Sequence, residues 1–346
     1  MPPLALANIR PTARIDGQDR PALEQAVLEL TIAQPAAGMD SAEMRLVNFS
    51  PTATDPPDFP FADIPLGARI EIFVGEPGAP ALFDGEVTGL EERYGGAAPE
   101  LVVLAEDRLH RLARKRRSRV FESQSADAVV GAMAAEAGLQ ADARVSSAAA
   151  TWHQMNESDL AFLRRLLARF GVTPRLRQGR LVARQEEAPL TTIPLSVNAE
   201  IRKLRILADL ARQASQATVR GWDLKADAVV TARADRATPP AQRTGAKDLL
   251  SRLGWPGDDL LVSPPPATQG LADDQAAAAF SGTARRFLSG DMICDGNPAV
   301  IAGAAVEIAG VSSRLAGIYR VTEATHHFDL GHGYETFARL ARADWP

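Results

Sequence analysis

The sequence holds one cysteine, Cys294, in 346 residues. That excludes an intrachain disulfide framework, and with it the main sequence argument for an oxidising compartment. Long apolar runs are missing too. No stretch approaches the roughly 18 consecutive apolar residues that a spanning helix requires. The N-terminal Met1-Pro2-Pro3-Leu4-Ala5-Leu6-Ala7 lacks the basic segment of an export signal. The expectation is synthesis and folding in the cytoplasm, with no stable membrane insertion. An excess of positive charge is also lacking. With 38 Lys and Arg against 43 Asp and Glu, the net charge is −5, so the chain as a whole carries no electrostatic footprint for nucleic acid. Phosphate-cradling loops of the Gly-x-x-x-x-Gly-Lys-Ser/Thr or Gly-x-Gly-x-x-Gly type are absent, and no cofactor is expected.

What remains is the composition of a folded protein, 46% hydrophobic and 23% charged. The length suffices for two or three domains with their own cores. Strand signals come first. In Leu28-Glu29-Leu30-Thr31-Ile32 apolar and polar residues alternate, the period of a half-buried strand. Ile70, Ile72 and Val74 repeat that spacing, and Phe83, Gly85, Val87 and Gly89 continue it. Gly75-Glu76-Pro77-Gly78 between them is turn chemistry and predicts a hairpin. With the apolar run Leu101-Val102-Val103-Leu104, these signals predict a first β domain, a small sandwich or barrel, over residues 1–115.

Helix signals follow. Ser125 is placed to cap a helix whose apolar residues are Val129, Val130, Met133 and Ala137, with Gly138 as the stop. In a second helix Asn156 is the candidate N-cap, with Asp159 three residues on. Leu160, Leu163, Leu167 and Phe170 form its apolar stripe, and Gly171 ends it. Two strand-like pieces, 173–176 and 181–184, are split by Gln178-Gly179. Residues 116–195 therefore read as an inserted α/β module. Residues 196–346 read as a second β-barrel domain, with strands at 217–223, 300–308, 318–325 and 334–340. An insertion of loops and a helix interrupts it at 226–290: loops over 226–270, then an Ala-rich helix over 274–288 closed by Gly290. The expected fold class is α+β and β-rich, two β-barrel domains around an α/β module.

At this point the residues carry a family likeness. The run Trp152-His153-Gln154-Met155-Asn156-Glu157-Ser158-Asp159-Leu160-Ala161-Phe162-Leu163-Arg164-Arg165-Leu166, ending at Gly171, resembles a segment of the phage late control D proteins. Those are baseplate hubs of contractile tails, and the N-terminal part of the type VI secretion spike is similar to them. Gly317-Ile318-Tyr319-Arg320-Val321, His326-His327-Phe328 and Gly333-Tyr334-Glu335-Thr336-Phe337 resemble the final strands of the same hubs. Weaker matches are Leu82-Phe83-Asp84-Gly85-Glu86-Val87, Ala105-Glu106-Asp107-Arg108-Leu109 and Val219-Arg220-Gly221-Trp222-Asp223.

The resemblance implies a structural protein and not an enzyme. It implies a homotrimer in which each chain supplies two tail-tube-like β-barrels. Three chains then present six barrels to a sixfold tail tube above and hold a threefold spike below, beside other baseplate proteins. The baseplate of a virion, or of an extracellular or cell-bound contractile particle, is the implied location. Structural roles fall to Trp152, Asn156, Glu157, Ser158, Asp159, Phe162, Leu163, Gly171, Trp222, Gly317, Tyr319, His327, Gly333 and Tyr334. The secretion spikes continue past the hub into a further domain and a β-helical needle. Here the sequence ends at Trp345-Pro346 with no Gly-rich short repeat, so a separate spike polypeptide is expected.

Sharper readings compete with bland ones. His326, His327 and His332 suggest a metal, but neighbours on a strand point to opposite faces, and strand packing is the expectation. Glu157 and Asp159 suggest an acid pair, but carboxylates at a helix start are stabilised by the exposed amides. No nucleophile elbow surrounds Ser158, and a hub-associated cell-wall hydrolase is the enzymatic alternative. A monomeric carbohydrate-binding β module is the other. Arg114, Lys115, Arg116, Arg117 and Arg119 form a dense basic run, read either as a solvated loop or as an interface loop facing acidic neighbours. Aromatic stacking partners for nucleic acid are sparse beside it. Trp152 and Trp222 are expected in the core.

Overall fold

Strand alternation in the N-terminal region folds as read. The computed structural model describes residues 10–50, 58–75, 78–95, 97–185, 192–238, 243–255, 259–262 and 265–345. The region contains β1 (Thr12–Ile15), β2 (Gln18–Asp19), α1 (Pro21–Ala26), β3 (Val27–Gln34), β4 (Ser41–Val47), β5 (Arg69–Phe73), β6 (Phe83–Gly95) and β7 (Ala97–Asp107). Leu30 and Ile32 of β3, Ala42, Met44 and Leu46 of β4, and Ile70 and Ile72 of β5 all turn into one core. Leu28 departs from the alternation, because a bulge between Val27 and Glu29 shifts the register and leaves it only half-buried. β5 and β6 pair antiparallel as the hairpin expectation requires, while Glu76 and Pro77 of the expected turn lie outside the described residues.

The middle region packs helices against short strands: α2 (His110–Arg114), β8 (Arg116–Gln124), α3 (Ala126–Glu136), β9 (Gln140–Arg144), β10 (Ala150–Ser158), α4 (Asp159–Ala168), β11 (Arg175–Arg177) and β12 (Arg180–Arg184). α3 keeps Val129, Val130 and Met133 in the core, and Gly138 follows it at a left-handed φ of 69°. Its first free N–H, on Ala126, donates to Ser147 Oγ at 2.8 Å, so the cap comes from Ser147 across the chain and not from the Ser125 side chain. The expected loop over the basic run is instead the end of α2 followed by β8.

The C-terminal region holds β13 (Thr192–Ser196), β14 (Ile201–Ala208), β15 (Gln216–Asp223), β16 (Ala228–Ala234), β17 (Thr244–Gly245), α5 (Ala246–Leu253), β18 (Asp259–Val262), α6 (Gln269–Ala284), β19 (Leu288–Asp295), β20 (Ala305–Ala309), β21 (Gly317–Asp329), β22 (Gly333–Arg342) and β23 (Asp344–Trp345). Three readings need correction. The stretch expected as loops contains β16, β17, α5 and β18. In β16 the buried positions are Val230 and Ala232, and the small alanine blurs the alternation. The Ala-rich helix starts earlier and stops at Ala284, capped by Thr268, whose Oγ1 accepts the N–H of Leu271 at 3.4 Å. Gly290 is therefore no helix stop. It lies in β19, where a Cβ would come within 2.5 Å of the Arg205 carbonyl. The strand expected from 300 begins only at Ala305, after a turn that buries Val300.

One sheet joins the two β regions. Its strand order is β14-β19-β22-β21-β3-β4-β7-β6-β5-β1-β2, with β20 and β13 branching from β21. The join is the antiparallel pairing of β3 with β21, from Ala324↔Gln34 to Asp329↔Glu29. Phe328 and Tyr334 of the β21–β22 hairpin insert into the N-terminal core, so side chains reinforce the ladder. The protein is thus mostly β with a few helices. Among the described residues no helix is long and apolar enough to cross a membrane.

Candidate assembly interface

The motif around residue 152 begins as strand and ends as helix. β10 pairs with β8 through Trp152↔Phe121, Gln154↔Arg119, Glu157↔Arg117 and Ser158↔Arg116, with a bulge between Gln154 and Glu157. The bulge holds Asn156 at a left-handed φ of 48° and carries the strand on to Ser158. Asn156 therefore cannot cap the helix. Ser158 does, its Oγ accepting the N–H of Ala161 at 3.2 Å. Asn156 accepts from the Arg116 guanidinium instead, and its N–H donates to Ser118 Oγ at 3.1 Å. Asp159 is the first helical residue and is buried. It accepts from Gln154 Nε2 at 2.8 Å and pairs with Arg117 at 3.1 Å and Arg119 at 3.3 Å. Glu136 of α3 takes the same two arginines at 2.7 Å each.

The basic run is therefore divided in role. Arg116, Arg117 and Arg119 hold β8 to its neighbours. Arg114 and Lys115 stay exposed, with no partner among the described residues. Around them the motif is core. Phe162 stacks on Phe121 with centroids 5.5 Å apart, and Leu163 is fully buried. Trp152 donates Nε1–H to the Gln124 carbonyl at 2.8 Å and meets Phe170 edge-on. Glu157 pairs with Arg165. Gly171 has a φ of 68° and packs against Ala278 of α6, where a Cβ would sit 3.4 Å from that methyl.

A second junction was not read from the sequence. Arg175 and Arg177, two apart on β11 and so on one face, reach both β regions. Arg175 donates to the carbonyls of Pro35 and Ala36 at 3.0 Å each and to that of Thr322 at 3.4 Å. Arg177 pairs with Asp40 at 3.3 Å and donates to the Ala302 carbonyl at 2.8 Å. Beneath them Asp107 Oδ2 accepts the N–H of Asp40 at 2.8 Å, and its Oδ1 accepts that of Leu109 at 2.8 Å. Burial pushes the Asp107 carboxyl up to about 7, and the charge of Asp40 adds to the rise. Asp40 is raised for the same first reason. Nothing in the local sequence marks these residues, because an Arg-x-Arg strand has the pattern of any exposed edge. The weak Ala105-Glu106-Asp107-Arg108-Leu109 match was the available signal.

The terminal hairpin completes the frame. Gly317 opens β21 at a φ of 131°, directly against the Arg342 guanidinium. Tyr319 is fully buried and donates its hydroxyl to the Leu315 carbonyl at 2.8 Å. Gly333 turns the hairpin at a φ of 76°. His326 and Tyr334 are buried partners, with Nδ1 and Oη 2.8 Å apart, and burial lowers the imidazole to about 3. His327 lies on the other face, 3.1 Å from Thr31 Oγ1 and 3.2 Å from Asp329. His332 also meets Asp329, whose carboxylate is held well below its usual range, first by the N–H of His332. Among the described residues no three ligating side chains stand together as a metal site. Trp222 is a correction: it is 46% exposed, paired with exposed Val229 on the face of β15 and β16 away from α6. Alternation places it there, since Val219 already faces α6.

The chain and its fold have counterparts among known proteins. A family model described as phage tail baseplate hub (GPD) matches residues 43–331. The 43 kDa tail protein of prophage MuSo2 from Shewanella oneidensis has a TM-score of 0.71 at 13% identity, with 98% of this chain and 100% of that one covered. A tail protein of Neisseria meningitidis gives 0.68 at 12%, covering 96% of each. An Escherichia coli type VI secretion component, described as structurally similar to tail proteins of bacteriophage T4, gives 0.61 at 12%, covering 96% of this chain and 77% of its own. No curated protein sequence matches the chain.

Proposed function

The chain belongs to the phage tail baseplate hub family, and from that premise we propose that it works as a homotrimer joining a sixfold tail tube to a threefold spike. The hub role is structural. Each chain brings two β regions, and three chains bring six, the number a sixfold tube requires. The observation that carries this reading is the β3–β21 ladder, which fixes the two regions at one mutual orientation without a flexible linker. A rigid pair of that kind transmits load from tube to spike when the tail contracts. The neighbours are then the tube protein on one face, the spike on the other and further baseplate proteins around the rim, where Arg114 and Lys115 stand free for an acidic surface. Assembly takes place in the cytoplasm and operation in the finished particle.

No chemistry is assigned to the chain. Glu157 is tied to Arg165, and Asp159 is buried under two arginines, so neither faces a cleft as an acid or base. The test is the solution mass by light scattering across a concentration range. A stable species near three times 36.9 kDa is expected. A chain that stays monomeric even with its tube and spike partners present would overturn the trimer.

A further inference from the structure

Between the middle module and the two β regions lies an open cleft of about 2950 Å³. Its lining is unusual in charge. Fifteen arginines and eleven carboxylates face it, with no lysine, although the whole chain is net negative. The excess is placed in two banks. On the module side Arg144, Arg180 and Arg184 gather around the single carboxylate of Asp142. On the other side Arg212, Arg243 and Arg286 are exposed and have no ion pair or side-chain hydrogen bond among the described residues. The second bank is drawn together by backbone contacts at the end of α6. Asp209 N–H donates to the Phe287 carbonyl at 3.1 Å, Gln213 Nε2 donates to that of Thr283 at 3.2 Å, and Thr238 N–H donates to Ser281 Oγ at 2.9 Å. Elsewhere in the molecule exposed arginines such as Arg14, Arg93 and Arg165 are matched with carboxylates.

We propose that this cleft takes an extended acidic segment of another baseplate protein, its carboxylates shared between the two arginine banks. Guanidinium groups bind carboxylates in two-pronged geometry, and facing banks suit a chain laid between them. Nucleic acid fits less well. The cleft offers two aromatic rings, Phe83 and Phe170, where single strands need a row of stacking platforms. The choice of a baseplate protein as the source rests on the hub role.

The test uses the full chain and a fluorescein-labelled oligoglutamate peptide followed by fluorescence anisotropy, with oligothymidylate run in parallel. Saturable, salt-sensitive binding of the peptide is expected. Arg212→Glu combined with Arg286→Glu should weaken it roughly tenfold, and Arg180→Glu should weaken it from the opposite bank. Arg93→Glu, near the far end of β6 and outside the cleft lining, should leave it unchanged. The proposal fails if folded wild-type chain does not saturate with peptide, if oligothymidylate binds more tightly, or if the cleft variants bind like Arg93→Glu. Cleft variants that change the solution mass would identify a contact between copies of this chain, and that too would overturn it. A monomeric wild type that still binds peptide would count against the trimer alone.

Discussion

Tyr334 shows how much a single side chain carries in this fold. It is contributed by the C-terminal hairpin, fills the N-terminal core and lies so close to Gly296 that a Cβ there would fall within 2.0 Å of the ring. Tyr334→Ala should lower stability by about 3–5 kcal/mol, read from the urea midpoint, because the cavity opens where two regions meet. Two buried groups set opposite pH dependences. Asp107 is raised from 3.8 to about 7, so its contribution is fully present below pH 3.8 and is lost as pH rises through 7. His326 is lowered from 6.5 to about 3, so its contribution is present above pH 6.5 and is lost as pH falls towards 3. In the wild type the two slopes oppose each other between about pH 4 and 6.5; Asp107→Asn should remove one of them and leave stability rising with pH over that range, as urea midpoints at stepped pH will show. Alternation at Leu30 and Ile70 was readable because each is a large apolar residue between polar ones. The burial of Asp107 was not, because a carboxylate in a strand ordinarily points to water.

At the scale of elements, α4 and the β8–β10 ribbon form one unit through Asp159. Asp159→Ala leaves Arg117 and Arg119 with Glu136 as their one carboxylate partner among the described residues and removes one of the two acceptors of Gln154 Nε2. A loss of about 3 kcal/mol in thermal or denaturant unfolding is expected. Arg116→Ala, at an exposed pair with Asn156, should cost less than about 1 kcal/mol. The stripe of Leu160, Leu163, Leu167 and Phe170 made this helix legible. Its start was misplaced by two residues because the bulge at Asn156 has no composition signal beyond an asparagine, which also suits a cap. In α6 the alanines supply helix propensity without contrast between faces, so its ends could not be read from periodicity. β16 was invisible for the same reason.

For the molecule as a whole, Arg175 and Arg177 work as a clamp over the seam between the two β regions. Arg175→Ala with Arg177→Ala should leave the sheet intact and loosen the middle module. Hydrogen exchange should quicken in β9, β11 and β12 while β3 and β21 stay protected, and equal protection throughout would show the clamp to be dispensable. The sequence separated the β, α/β and β stretches in the right order. It could not show that the outer two share a sheet, since strand partners leave no trace in a single sequence. That seam also governs timing. Thr31 and His327 touch although 296 positions apart, so β3 keeps a bare edge until almost the last strand has left the ribosome. At translation speeds of roughly 5–20 residues per second the wait is on the order of tens of seconds. A chain made only as far as β20 cannot close the frame.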